Sequence, residues 1–326
     1  MRILLFTPAP LGSTKGNRIT AERWAGQLTE LGHDVCVCDP LSTAMDNAAF
    51  DCLICIHATR SANTIIDFQA NAADRPVVLC LSGTDLHLDA PGSRGTKAQH
   101  EALESIRRSS RLILLEPQAA NQLPPEARSK VVVILQSAVP VSSASKRTDD
   151  EFRVCVLGHL RAEKDPLLTA TAARTLPAAS RVKVIHIGEA LNAQIDRSVQ
   201  NEMKTNHRYR WLGACPHAEA QRRLAESDLM VLSSKVEGAP SVISEAIVNG
   251  VPILATRIPA TIGLLGDDYP GLFPVGDSDT LATLMDRAEQ DDSFLGQLKD
   301  AIDKLAAKFT PQAERDALQR LLKSLG

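Results

Sequence analysis

Aromatic side chains are scarce: two tryptophans, two tyrosines and seven phenylalanines make up 3% of the 326 residues. Proteins that grip single-stranded nucleic acid stack bases on aromatic platforms, and this chain has too few rings to build one. An excess of charge of one sign is also missing. Lys and Arg number 36 against 39 Asp and Glu, a net charge of −3. No broad cationic surface for nucleic acid is expected, and any anion site must be local. Long apolar runs are missing too. None reaches the ~18 residues of a membrane span, and the N-terminal run RILLF is too short for a signal peptide. No membrane partner is expected.

A second cysteine or histidine pair at ligand spacing is a further absence. The seven cysteines are an odd number, and Cys52 and Cys55 lie within the apolar run DCLICIH. At that spacing they face opposite sides of a strand, and no second Cys or His pair follows them. Reduced core thiols are expected, which suits the cytoplasm, and no metal site is expected. The dinucleotide fingerprint G-x-G-x-x-G and the phosphate loop G-x-x-x-x-G-K-[ST] are both missing. No short repeat or low-complexity segment appears.

What is present is a regular alternation. Hydrophobic residues are 44% and charged residues 23% of the chain, a globular balance with room for two domains. Apolar runs RILLFT, DVCVC, DCLICIH, PVVLCLS, RLILLE and KVVVIL alternate with helical patterns. In the first of these Trp24, Leu28 and Leu31 recur at i, i+4 and i+7 before Gly32. The polar stretch PVSSASKRTDDE, Pro140 to Glu151, reads as a linker. The alternation then restarts with FRVCVLG, RVKVIHIG, YRWLG, DLMVLSS and VPILAT, and from about Asp292 the chain is helical, with a break at Phe309-Thr310-Pro311. Strands alternating with helices predict parallel sheets covered on both faces. The expected fold is α/β: two doubly wound, Rossmann-like domains facing across a cleft, residues 1–140 and 152–310. Ligands bind at strand C-terminal ends in such sheets.

The loops at those ends carry the chemistry. Between DLMVLSS and the helical SVISEAIVNG lies Glu237-Gly238-Ala239-Pro240, with Ser241 the expected cap, Gly250 the stop and Glu245 one turn into the helix. Loop amides and a helix N-terminus suit an anion. Carboxylates beside an anion site make sense for a ligand that has both phosphates and hydroxyls, with Glu237 and Glu245 accepting from the hydroxyls. The plainer reading is one solvated loop charge and one helix-surface charge. In VLGHLRAEKDP, Gly158 ends a strand and a helix is expected near Asp165-Pro166. Arg161 and Lys164 between them suit a diphosphate leaving group, or form an ordinary exposed turn. Three more loops follow strands of the first half. One carries Gly12, Lys15, Gly16, Asn17 and Arg18, the second His57, Arg60 and Ser61, and the third Gly83-Thr84-Asp85. Parallel strands put them on one edge, where Gly12, Lys15, Asn17, Arg18, His57, Arg60, Gly83 and Thr84 are expected to hold an acceptor. A lone histidine such as His57 is often structural. His57 and Asp85, with Arg161 and Lys164, are expected at the reacting centre.

LSSKVEGAPSVISEAIVNGVPILAT and VLGHLRAEKDP resemble the donor domain of family-4 glycosyltransferases. That family's Glu-x₇-Glu motif falls on Glu237 and Glu245, and its diphosphate-binding Arg and Lys fall on Arg161 and Lys164. The resemblance implies the GT-B fold, a nucleotide-sugar donor held by Gly158, Arg161, Lys164, Glu237, Gly238, Ala239, Ser241 and Glu245, and an acceptor site in the first domain. It also implies no obligatory metal or other cofactor, and a C-terminal helix, 311–326, that returns to the first domain. TPAPLGSTKGNRITAERWA, HATRSA, LSGTDL and IPATIGLLGDDYPGLFPVGD are similar to the selenosugar synthases of selenoneine biosynthesis over nearly the whole chain. That narrower resemblance implies UDP-N-acetylglucosamine and selenophosphate as substrates, with enzymes supplying selenophosphate as pathway partners. Ser82 stands where many family-4 members carry a histidine, and Ala239, Pro240 and Ser241 follow the broad family, not the narrower branch.

Overall fold

The computed structural model describes residues 1–13, 15–42, 46–71, 73–87, 95–141 and 150–326, apart from the side chains of Thr84 and His87. Most of the stretch read as a linker, residues 142–149, lies outside that description, as does the side chain of the acceptor candidate Thr84. The chain divides into two compact units, Met1–Gln136 with Pro311–Gly326, and Ser137–Thr310.

In the first unit, strands β1 (Arg2–Phe6), β2 (Asp34–Cys38), β3 (Cys52–Ile56), β4 (Val77–Leu81), β5 (Arg111–Leu114) and β6 (Val131–Val133) form one parallel sheet. Its order is β2-β1-β3-β4-β5-β6. The central runs CLICI and VVLCL are buried at every position, because a parallel strand covered on both faces has no solvent side to keep polar. At the edges, DVCVC and VVV are only partly covered. Helices α1 (Gly16–Glu30), α2 (Ala62–Asn71), the single turn α3 (Thr84–His87) and α4 (Lys97–Arg108) supply the cover. Trp24 and Leu28 of α1 and Phe68 of α2 are fully buried, each worth about 1.5–3 kcal/mol by removal of apolar area from water.

The second unit repeats the plan. Strands β7 (Phe152–Leu157), β8 (Val182–Ile187), β9 (Tyr209–Trp211), β10 (Leu229–Leu232), β11 (Ile253–Thr256) and β12 (Leu272–Phe273) run parallel in the order β12-β11-β10-β7-β8-β9. Between and after them come α5 (Leu168–Thr175), α6 (Ala193–Thr205), α7 (His217–Ala225), α8 (Ser241–Val248), α9 (Pro259–Leu265), α10 (Ser278–Gln290) and α11 (Asp292–Asp303). The triplet Asp277-Ser278-Asp279 opens α10, where Asp277 accepts from the Thr280 amide at 2.9 Å and hydroxyl at 2.7 Å. Those bonds make it a helix cap.

After Thr310 the chain returns to the first unit as α12 (Pro311–Lys323). Its anchor is Glu314, whose side chain is fully buried. Its carboxylate accepts from Arg23 Nε at 2.9 Å, Arg23 Nη2 at 3.1 Å, Trp24 Nε1 at 2.8 Å and Gln27 Nε2 at 3.0 Å, all on α1. The seven cysteines are free thiols, and burial pushes Cys38 and Cys52 up to about 12. Among the described residues no helix is long and apolar enough to cross a membrane.

Candidate functional site

In the second unit, β8 and β9 lie to one side of β7, and β10, β11 and β12 to the other. The connections reverse direction between β7 and β10, and a crevice opens at the C-terminal ends of such a strand pair. Two loops meet there. After β7, Gly158 donates its amide to Ile187 O at 2.9 Å, and Gly188 crosses so close that a Cβ on it would lie 1.9 Å from Gly158 O. Only glycine fits at 188. The chain then makes one 3-10 turn, Ala162–Lys164, and Asp165 adopts a left-handed conformation with φ 45°. Helix α5 starts at Leu168, just past the Asp165-Pro166 pair where a helix is expected. Proline disfavours right-handed helix in the residue before it, and a short polar side chain tolerates the left-handed alternative.

The loop after β10 is bonded to this turn. Ser233 donates to the carbonyls of Lys164 at 3.0 Å and Asp165 at 3.1 Å, and the Lys235 amide donates to Glu163 O at 2.7 Å. Thr256 of β11 donates to Ser234 O at 2.5 Å. The side chains follow the same link. Lys164 forms an ion pair with Glu237, their side chains 17% and 8% exposed, and Ser234 donates its hydroxyl to the same Glu237 oxygen at 2.6 Å. Arg161 is exposed at the head of the turn, and its guanidinium has no ion-pair partner among the described residues. Gly238 and Ala239 are half-buried ahead of α8. The cap of α8 is Pro240, without a side-chain bond, and Ser241 is the first helical residue. This corrects the capping role expected of Ser241. The first amides of the helix remain open to an anion. Glu245 is half-buried one turn in, and its carboxylate makes no hydrogen bond or ion pair among the described residues. With burial, which dominates, it helps push the Cys155 thiol on β7 up to about 12. Gly250, at φ 66°, follows the end of α8.

Sequence reasoning missed the residue beneath these loops. A small cavity under them is lined by Gly158, Lys164, Ser233, Ser234 and His186. His186 is 2% exposed, and burial drives its pKa down to about 4. The neutral ring meets Gly158 O through Nε2 at 3.3 Å and the Tyr209 hydroxyl through Nδ1 at 3.0 Å. A carbonyl partner assigns the proton to Nε2. The only signal was one histidine inside the apolar run VIHI.

In the first unit the order reverses between β1 and β3, and the loops after those strands carry most of the acceptor candidates. Gly12 (φ 79°) and Lys15 are exposed, Lys15 as the backbone cap of α1, and Asn17 is half-buried. Arg18 departs from expectation. It is 6% exposed, and its guanidinium meets Glu22 at 2.6 Å and Asp39 at 3.5 Å. An arginine held between two carboxylates ties α1 to the β2 loop. Arg60 is exposed, and its guanidinium has no ion-pair partner among the described residues. His57 is buried at φ 79°, with its amide donating to Cys80 O at 2.8 Å. A non-glycine residue held there stores about 1–3 kcal/mol of strain, and such residues cluster at functional sites. Ser61 donates to Ile56 O at 3.0 Å.

Asp85 also departs from expectation. It is fully buried and accepts amides from Ala58 at 2.9 Å, Ser82 at 3.0 Å and Gly83 at 2.8 Å. Satisfied by backbone amides, it fixes the β3 and β4 loops to each other. Another buried carboxyl on this edge was missed. Glu116, after β5, is 1% exposed, accepts the Gln118 amide at 2.5 Å, and is pushed by burial up to about 7.

The comparisons with known proteins agree with this architecture. The family model for Glycosyl transferases group 1 matches residues 141–314, just over half of the chain. Among solved structures, HepE of Anabaena in complex with UDP is 17% identical and superposes with a TM-score of 0.79, covering 99% of this chain and 100% of that one. A glycosyltransferase of Rickettsia africae is 13% identical at a TM-score of 0.77, covering 99% and 98%. The sucrose-phosphate synthase of Thermosynechococcus elongatus is 14% identical at 0.77, covering 100% and 99%. Likeness at such identities is one of fold, two parallel-sheet α/β units of the GT-B type. With the family match over the unit that holds Arg161, Lys164, Glu237 and Glu245, this chain belongs to the group 1 glycosyl transferases.

Proposed function

We propose that the protein transfers a sugar, N-acetylglucosamine, from its UDP conjugate to selenophosphate, giving a 1-selenosugar. The observation that carries the donor half is the pairing of cations and carboxylates at one strand crossover: Arg161 and Lys164 for a diphosphate, Glu237 and Glu245 for hydroxyls. Glu245 takes the ribose diol and Glu237 the transferred sugar. HepE, a neighbour in fold, was solved with UDP and with UDP-glucose. The acceptor half is supported by the resemblance of the β1 loop and of IPATIGLLGDDYPGLFPVGD to the selenosugar synthases. In the reaction selenium attacks C1, the bond from C1 to UDP breaks with its electron pair leaving on the diphosphate, and water later cleaves Se–P to release phosphate. A soft anionic nucleophile needs no strong general base, so positioning and leaving-group stabilisation carry the rate. Lys15 and Arg60 are the cations left to hold the acceptor's oxygens.

One observation favours a second reading. With Arg18 committed to Glu22 and Asp39, the acceptor edge is less cationic than a multiply charged acceptor calls for. A sugar or small-alcohol acceptor suits that edge. Incubation with UDP-N-acetylglucosamine, with and without selenophosphate, decides by mass spectrometry. UDP release that requires selenophosphate, with a selenium-bearing product, is expected. Release only with hydroxyl acceptors supports the second reading, and binding without release overturns both. Turnover is expected to persist in EDTA, because Arg161, Lys164 and the α8 amides meet the leaving charge. Loss restored by Mg²⁺ overturns that part.

A further inference from the structure

We propose that the Lys164–Glu237 ion pair is an exchange element that couples recognition of the donor's diphosphate to recognition of its sugar. The inference rests on the UDP-sugar reading above. In the free protein the ammonium expected to hold the diphosphate is bound to the carboxylate expected to hold the sugar. Both side chains are largely shielded from water, so neither charge is left to solvent when the other departs. The backbone around them is fixed: Ser233, Lys235 and Thr256 tie the two loops together. Any rearrangement therefore falls to the two side chains. Lysine is suited to this, being a point charge on a flexible stem with rotatable donors. The stem passes Gly158, where a Cβ would be in ordinary contact, 3.7 Å from Lys164 Cδ.

Consider a diphosphate arriving at Arg161, which has no carboxylate to surrender among the described residues. It also draws Lys164 off Glu237. Glu237 then keeps its other contacts, the Ser234 hydroxyl among them, and gives up the Lys164 ammonium. A sugar hydroxyl donating to Glu237 replaces what was lost. UDP-sugar therefore satisfies both members of the broken pair, whereas UDP satisfies only Lys164. A uridine monophosphate too short to reach Lys164 leaves the pair closed. After transfer the sugar no longer bonds Glu237, and the pair re-forms in competition with UDP. Product release is built into the same contact.

The test is a double-mutant cycle read by calorimetric titration of the full chain with UDP. Glu237→Gln removes the competitor for Lys164, so UDP should bind at least fivefold more tightly while UDP-N-acetylglucosamine binds more weakly. In a Lys164→Met background the same substitution should change UDP affinity by less than twofold. Tightening that persists undiminished in that background means plain charge repulsion and overturns the exchange, as does unchanged or weakened UDP binding in the single variant. Should Glu237→Gln fail to fold, Glu237→Asp, one methylene shorter, must give the same sign with a smaller tightening. Wild-type protein that binds UDP but shows no coupling overturns this inference alone. Wild-type protein that binds no UDP and turns over no UDP-sugar overturns the functional reading as well.

Discussion

At the residue scale, Lys164 is ion-paired and His57 strained before any substrate arrives, and each condition has a measurable consequence. On the proposed role of Lys164 at the leaving diphosphate, Lys164→Ala should lower kcat by about 10²–10³. A fall under threefold in folded protein rejects the assignment. His57 offers a test that needs no substrate. Glycine normally destabilises a protein relative to alanine, by about 0.5–1 kcal/mol in a regular element. At φ 79° the order should reverse. His57→Gly is expected to be more stable than His57→Ala by about 1 kcal/mol in urea unfolding, because glycine alone carries no Cβ penalty there. Equal stabilities, or alanine the more stable, would mean the backbone relaxes and holds no strain. Lys15→Ala and Arg60→Ala should each raise the selenophosphate KM about tenfold and leave UDP-sugar affinity within about threefold, since a charge-assisted bond is worth about 1.5–3 kcal/mol. Unchanged selenophosphate kinetics in both would place the acceptor elsewhere.

At the element scale, α12 is held on α1 by one carboxylate with four donors. Glu314→Ala leaves Arg23, Trp24 and Gln27 without that partner and should cost about 3–5 kcal/mol, the scale of breaking a buried pair. Thermal unfolding checks this, and a loss under about 1 kcal/mol would show that α12 is held by apolar packing alone. The elements themselves were readable where they were long and periodic. CLICI and VVLCL announce buried parallel strands by composition, and Trp24 and Leu28 mark the buried face of α1. The two-residue strand β12 has no period to read. Ser241 does not cap α8 because Pro240 already occupies the cap. In the candidate site, residue types and their loops were legible from strand-loop-helix punctuation. The partners were not. Lys164 and Glu237 are 73 positions apart, and no local pattern says that they meet. The same holds for Arg18 with Asp39, for Asp85 with the Ala58 amide, and for His186 under the Gly158 turn.

At the scale of the whole molecule, the two units should answer pH in opposite directions. Glu116 in the first unit rises from 4.5 to about 7 on folding, burial being the cause. A raised carboxyl contributes stability that is fully present below pH 4.5 and lost as pH rises toward 7. His186 in the second unit falls from 6.5 to about 4, again through burial. A depressed imidazole contributes stability that is present above pH 6.5 and lost as pH falls toward 4. Going from about pH 7 to about pH 5, each group therefore shifts its own unit by about 2 kcal/mol, the first unit upward and the second downward. A single melting temperature averages the two, since a chain of two units need not unfold in one step. Residue-resolved hydrogen exchange separates them. Amides of β3 and β4 should gain protection on acidification, and amides of β7 and β8 should lose it. Other groups titrate in the same window, so the decisive quantity is the difference from variants. Glu116→Gln should remove the gain in the first unit without touching the second, and His186→Asn should remove the loss in the second without touching the first. If both variants keep the wild-type pH response, Glu116 and His186 are hydrated well enough to titrate normally, and the opposed slopes do not exist.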